Sequence, residues 1–294
     1  MIDNTAGGRR ERDGAAAGHQ SQAAALSRGW GARSLVFVAG LFALFLGLPV
    51  VSLVVRSVLD GSLAVALASP VVLDALWLSL VTTAISLLIT VVLGLPLAIV
   101  LARHRFRAKG LLEAVVDLPI VLPPSVAGLA LLLVFGRRGL LAAPFNLLGI
   151  AVPFTTVAVI LAQTFVAAPF FIRSARTGIA GVDREIEDAA RMDGASERHL
   201  FRTVTVPLAG AALAAGLVMT WARALGEFGA TIMFAGNVQG QTQTLPLVVY
   251  SEFQGGSLDS SVAASAILVL AALGVLVGVR FFHWGQAFDA RGLG

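Results

Sequence analysis

Apolar and polar positions in this chain do not alternate; they fall into long blocks. Six blocks, roughly residues 35–55, 74–101, 113–135, 152–172, 208–235 and 261–282, are largely apolar. A membrane span needs about 20 such residues, at a helical rise of ~1.5 Å, to cross a hydrocarbon core of about 30 Å. Each block qualifies. Backbone at that depth finds no water to bond, so each block predicts a helix. Three blocks carry internal breakers: Gly94 and Pro96 in the second, Pro119, Pro123 and Pro124 in the third, Gly226 and Gly229 in the fifth. Such breaks persist where neighbouring protein or cavity water satisfies the freed backbone groups. A kinked packing helix is the plain reading of any one of them. Together they favour a bundle built around a pathway.

The polar connections set the direction. With the N-terminus placed inside the cell, 16 basic residues lie on that side. Five are in the arm before the first block. The others are Arg103, Arg105, Arg107 and Lys109, then Arg173, Arg176, Arg184, Arg191, Arg198 and Arg202, then Arg291. Arg56, Arg137 and Arg138 lie outside. Basic residues concentrate in the short cytoplasmic loops of membrane proteins, so both termini are expected in the cytoplasm. Residues 1–33, rich in Ala, Gly and Arg and lacking periodicity, read as a disordered cytoplasmic arm. The run after it is too long for a signal-peptide core and reads as a retained anchor. Residues 34–72 then hold the first span and an outer loop, 73–283 the main transmembrane domain, and 284–294 a cytoplasmic tail.

Composition removes whole classes of function. Of 294 residues, 57% are apolar and 13% charged. A soluble domain carries roughly 25% charged residues to present a wet surface. Soluble enzymes and DNA-binding modules are therefore excluded, and the net charge of +4 is explained by topology without nucleic acid. The chain has no cysteine, so disulfides, thiolate metal sites and cysteine nucleophiles are absent. His19, His104, His199 and His283 are isolated, without metal-motif spacing. ATP hydrolysis needs a glycine-rich loop ending in Gly-Lys-Ser/Thr. The one lysine, Lys109, is followed by Gly110. The chain thus lacks an ATPase site, and no metal, cofactor or catalytic residue is expected in it.

Residues 181–207 do not belong in lipid. The segment is dense in charge from Asp183 to Arg202. Asp183 suits a helix N-cap, with acids in the first turns behind it. Gly194 interrupts, and Ser196 caps a second short helix expected to end near Pro207. The prediction is helix, glycine turn, helix. Ala189 and Ala190 are small residues in a charged helix, and small side chains let another surface approach closely. A solvated amphipathic loop is the bland alternative.

Within the spans, Arg223 and Glu227 are the clearest charges. Arg223 lies 16 residues past Pro207, about 24 Å along a helix, in the outer half of the membrane. Intramembrane charges usually face the bundle interior and mark function. The competing reading is mutual neutralisation at i and i+4, although Arg before Glu is the weaker order on a helix. Ser125 and Thr231 are candidate pathway hydroxyls. Glu113 and Asp117 read as interfacial acids. Outside, residues 236–259 carry no basic residue, and Tyr250, Glu252 and Gln254 are candidate contacts for an external binding protein, with a plain solvated loop as the equal alternative.

The motif Asp188-Ala189-Ala190, three residues, Gly194, nine residues, Val204-x-Val206-Pro207 resembles the E-A-A-x3-G-x9-I-x-L-P loop of ATP-binding-cassette importer permeases. Spacing matches throughout, with Asp for Glu and Val for Ile and Leu. The resemblance runs from about Leu73 to Val279. It includes Ser79-Leu80, Gly94-Leu95-Pro96, Ala102-Arg103, Leu118-Pro119 and Pro123-Pro124-Ser125. The stretch from Arg223 through Gly226-Glu227-Phe228-Gly229-Ala230-Thr231 to Gln241-Thr242-Gln243-Thr244-Leu245-Pro246 looks like the molybdate-type permeases, relatives of the sulfate and thiosulfate permeases.

That resemblance implies an all-α integral membrane fold: a six-helix permease bundle with a cytoplasmic coupling helix, in a prokaryotic plasma membrane. It implies that Glu187, Asp188, Ala189, Ala190 and Gly194, followed by Pro207, dock against a separate ATPase subunit that binds ATP and Mg. It also implies a homodimer, with a heterodimer with a related permease as the alternative, and a periplasmic or surface-anchored oxyanion-binding protein as partners. The expected cargo is molybdate, with sulfate, thiosulfate or tungstate as alternatives. Ser125, Arg223, Glu227 and Thr231 are then pathway or gate residues. Two different classes remain as rivals: an ion-coupled secondary transporter using Glu227, and a membrane scaffold that recruits a protein through 181–207.

Overall fold

The computed structural model describes residues 34–289. The expected arm at 1–33, the last five tail residues with Arg291, His19 and the side chain of His283 lie outside that description. All regular structure among the described residues is helical. Two compact units divide the chain after Val55. Helix α1, Ser34–Leu59, supplies the described part of the first up to Val55 and begins the second with its last turn. Its apolar side chains, among them Leu35, Phe37, Leu41 and Phe45, are exposed. A helix that is apolar all round suits lipid as its solvent.

The second unit runs α2 (Ser62–Ala68), α3 (Pro70–Arg103), α4 (Lys109–Val121), α5 (Pro124–Phe135), α6 (Ala142–Leu147) and α7 (Thr156–Ala180). It continues through α8 (Arg184–Met192), α9 (Glu197–Leu200), a π-turn at Phe201–Thr205, α10 (Val206–Leu225), α11 (Gly229–Phe234), α12 (Leu245–Gln254) and α13 (Leu258–Asp289). Among the described residues, five helices are long and apolar enough to cross a membrane, and α4 with α5 makes a sixth if that bent pair counts as one span.

Helix α7 is the centre of the bundle, packed along its length against α3 and α10. Its buried face is rich in small residues: Ala158, Ala162, Ala167 and Ala175 are wholly covered. In lipid, small residues bring helices together because close backbone approach, rather than removal from water, supplies the attraction. Ser174 Oγ donates to the Ala212 carbonyl at 2.6 Å across the α7–α10 contact.

Helix α3 is built inside out. Its buried residues include Ser79, Thr82, Thr83, Ser86 and Thr90, at helical spacing, while Leu88, Val92 and Leu93 are exposed. Lipid accepts the leucines; the hydroxyls need partners. Ser86 and Thr164 of α7 pair at 2.9 Å. Gln163 Nε2 donates to Thr83 at 3.3 Å. Ser79 Oγ accepts the free N–H of Leu245 at the start of α12, at 2.8 Å.

Several expected boundaries move. Helix α3 passes unbroken through Gly94 and Pro96. The third block is two helices bent by 118° at Leu122–Pro123. Proline at 123 disfavours α-conformation before it, where Leu122 is extended, and Pro124 opens α5, where its missing N–H is no loss. The fourth span extends to Ala180, so Arg173 and Arg176 lie on α7 instead of in the following loop. Arg173 pairs with Asp117 at 3.3 Å and Arg176 with Glu113 at 3.2 Å, which ties α7 to α4. The fifth span stops at Leu225, and α11 is separate. Residues 236–259 are no solvated loop: α12 lies there, and Leu245, Pro246, Leu247 and Val248 are buried. Gln254 Nε2 donates to Tyr250 at 2.8 Å, and Tyr250 stacks near Phe228 at 5.0 Å.

Candidate functional site

The charged segment forms a helical hairpin on the membrane bundle. Asp183 caps α8 by accepting from Glu185 N at 3.0 Å. Gly194 takes φ +88°, a left-handed conformation that a glycine adopts without steric penalty. Ser196 then caps α9, accepting from His199 N at 3.4 Å. The second helix does not end at Pro207. Residues Glu197–Leu225 form one continuous helical run through the π-turn into the fifth span. Pro207 sits in the first turn of α10, where proline is compatible with a helix. The second arm of the hairpin is thus one piece with a membrane-spanning helix.

Glu187 does not belong to the exposed surface, and the structure corrects that placement. It is 4% exposed and turned into the bundle. Its Oε1 accepts from Arg103 at 2.5 Å and from Thr205 at 2.8 Å. Arg103 also reaches the Val182 carbonyl at 3.4 Å, and Arg184 donates to the Arg103 carbonyl at 3.3 Å. The ends of α3, α8 and the π-turn thus meet at one carboxylate. In sequence Arg103 reads only as a topological charge, so this anchor is invisible there.

The opposite face of α8 is bare. Asp188 and Ala189 are exposed, Ala190 is half-buried, and Ile186 and Met192 are exposed at 48% and 89%. Ile186, Ala189 and Met192 recur every three residues, so they share one helical face. This apolar stripe was missed at the sequence level, although its spacing carries the signal. Beside it, Arg191 bonds Glu197 and Asp188, each at 2.7 Å. Those bonds, first Glu197 and then Asp188, push the Arg191 guanidinium pKa up, and Arg191 holds the Glu197 carboxyl below the usual carboxylate range. The clamp closes the Gly194 turn. A cavity of about 370 Å³ lies between the hairpin and the C-terminal ends of α3 and α7, lined by Ile99, Arg103, Ile179, Glu187, Arg191 and Thr205 among others.

The second feature lies within the membrane. Arg223 and Glu227 meet at 2.5 Å. Glu227 is past the end of α10, so the unfavourable helical order of the two charges does not apply. Its other oxygen accepts the Ala230 N–H at 2.7 Å, inside α11. Here α5 and α11 cross at near-backbone contact. A methyl on Gly229 would lie 2.7 Å from Pro124 Cβ, and one on Gly128 would lie 2.6 Å from the Ala230 carbonyl. Ser125 is exposed on the first turn of α5. Thr231 is fully buried, so its hydroxyl faces protein and lines no open path in this conformation. No group of His, Asp or Glu among the described residues is placed to hold a metal ion.

Comparison with known proteins extends this picture. Residues 94–288 match the family described as binding-protein-dependent transport system inner membrane component. The molybdenum transport system permease protein ModB of Mycobacterium tuberculosis is 42% identical over 239 residues, 80% of this chain and 88% of that one. The molybdate/tungstate transport system permease protein WtpB of Pyrococcus abyssi is 35% identical, over 81% of this chain and 89% of its own length. Among solved structures, a bacterial ABC transporter involved in import of the acidic polysaccharide alginate superposes with TM-score 0.69 at 16% identity, over 87% of this chain and 96% of that chain. The MetNI methionine ABC transporter, in an inward-facing conformation, gives 0.54 at 18% identity, over 76% and 96%.

Proposed function

This chain belongs to the family of binding-protein-dependent transport system inner membrane components, and on that premise we propose that it passes a tetrahedral oxyanion, molybdate foremost, through the membrane. It is the membrane permease of an ABC transporter, a multi-pass protein of a prokaryotic membrane and a transport component rather than a catalytic chain. The observation that carries the cargo assignment is likeness over four-fifths of the chain to permeases named for molybdenum.

A bare dianion in hydrocarbon faces a desolvation cost of tens of kcal/mol. The path is therefore a hydrated, protein-lined cavity opened to one side at a time, between two copies of this chain with both termini in the cytoplasm. Each copy offers one α8 hairpin to one ATPase subunit, which binds ATP and Mg. The exposed Ile186–Ala189–Met192 stripe, flanked by Asp188, enters the cleft of that subunit, with Ala190 and Gly194 shaping the approach. Closure of the two ATPases draws the hairpins together, and the continuous Glu197–Leu225 helix carries the motion into the membrane. An oxyanion-binding protein outside delivers cargo to the opened path, and hydrolysis resets it.

The ion-coupled alternative is not retained. It needs an intramembrane acid free to exchange protons, and Glu227 is engaged by Arg223 and the Ala230 N–H. Reconstitution with the cognate ATPase and binding protein, loaded in turn with molybdate, tungstate and sulfate, tests the proposal. ATP-dependent uptake of molybdate is expected. Uptake of sulfate alone overturns the cargo, and uptake that persists with a hydrolysis-dead ATPase overturns the mechanism.

A further inference from the structure

Two helix breaks lie back to back in the membrane half of this chain. One precedes α5 at Leu122–Pro123; the other separates α10 from α11 at Gly226–Phe228. Each break frees backbone N–H groups, and a helix start in lipid has no water to satisfy them. The start of α11 takes its acceptor from Glu227, whose Oε1 lies 2.7 Å from Ala230 N. A buried carboxylate is costly unless a cation and further hydrogen bonds compensate it. Arg223, from the last turn of α10, supplies the cation. The pair therefore spans the break: the cation stands on one helix, and the carboxylate grips the first turn of the next.

What α11 then holds is α5. The glycine contacts leave no room for a methyl group between the two, at Gly229 against Pro124 and at Gly128 against Ala230. Displacing α11 toward α5 by the width of a methyl group must displace α5 with it. The side chain of Glu227 is wholly buried and that of Arg223 is 27% exposed, so neither presents a free charge to an open path.

We infer that Glu227 is a positioning residue for transport, with Arg223 as its counter-charge. Its carboxyl oxygen fixes α11 to the end of α10, so that α5 and α11 move as one piece when the hairpin pulls on α10. The requirement is for an acceptor at position 227, and the negative charge is secondary once Arg223 is also neutral. This rests on the permease reading, whereas the local ordering it asserts is measurable without cargo.

The test uses the full chain assembled with its ATPase and binding protein, in three forms: unchanged, Arg223→Gln with Glu227→Met, and Arg223→Gln with Glu227→Gln. Two quantities are read: cargo moved per ATP hydrolysed, and amide hydrogen exchange across residues 228–235. The Met form, with no acceptor for a buried N–H, should exchange faster there and lose about tenfold in cargo per ATP. The Gln form keeps an acceptor and should restore both to within about threefold. Equal loss in the Met and Gln forms would overturn the inference, because charge itself would then be required. So would unchanged exchange in the Met form. If the Met form fails to assemble, the Gln form decides alone, and its loss of coupling with assembly intact is the contradicting result. Absence of uptake by the unchanged chain would strike the permease reading and leave the exchange comparison standing.

Discussion

Glu187 and Glu227 are two acids buried within the protein, and each survives there because a cation and a hydrogen-bond donor converge on it. Glu187 has Arg103 and Thr205; Glu227 has Arg223 and the Ala230 amide. Truncating one member of a buried ion pair strands the other and costs about 3–5 kcal/mol. Glu187→Ala should therefore lower the thermal midpoint of the purified chain markedly. Arg103→Met with Glu187→Leu, which removes both charges, should recover most of the loss. Thermal unfolding in detergent measures both. The surface clamp of Arg191 with Glu197 and Asp188 is different in kind. Its side chains are largely exposed, and such pairs contribute little to stability. Its value is geometric, closing the turn at Gly194.

At the scale of elements, α5 and α11 cross at close contact through two glycines. Gly229→Ala places a methyl 2.7 Å from Pro124 Cβ and must part the two helices. Overpacking of this kind costs about 1–3 kcal/mol. ATP-dependent uptake is expected to fall several-fold for Gly229→Ala and to stay unchanged for Gly110→Ala, whose methyl would meet nothing within 4 Å. Elements of this kind were unevenly legible in the sequence. The spans were readable because lipid demands long apolar runs, and the α8–α9 hairpin because its caps, Asp183 and Ser196, obey local rules. Whether a breaker breaks was not readable. Pro96 leaves α3 intact, whereas Pro123 and Pro124 turn the chain by 118°, and the difference lies in consecutive prolines and in what packs nearby. Helix α12 was hidden because the polar turn that leads into it, with buried Thr242 and Thr244, looks like loop until Thr242 is seen accepting from Val238 N and Leu245 N donating to Ser79 of α3. Span four was cut short because its last turns carry arginines, whose partners on α4 lie 56–63 residues away in sequence.

For the whole molecule, one mechanical line joins these parts. In the proposed mechanism the exposed stripe on α8 meets the ATPase; in the structure Glu187 ties the hairpin to α3, and α9 runs without a stop into α10. In that mechanism the Arg223–Glu227 bridge then passes the motion to α11 and, through two glycines, to α5. Membership of the family was legible from the spacing of the hairpin motif. The inward turn of Glu187 was not, because only the folded chain places Arg103 and Thr205 on either side of it. The most direct measurement of this line is the affinity of the purified permease for its ATPase after Ala189→Arg. That substitution puts a long charged side chain on an exposed position in the middle of the stripe and disturbs nothing in the bundle. Binding should weaken by at least about tenfold, with the fold and thermal midpoint unchanged. Unaltered binding would contradict the account, since the face assigned to the ATPase would then not be touched by it.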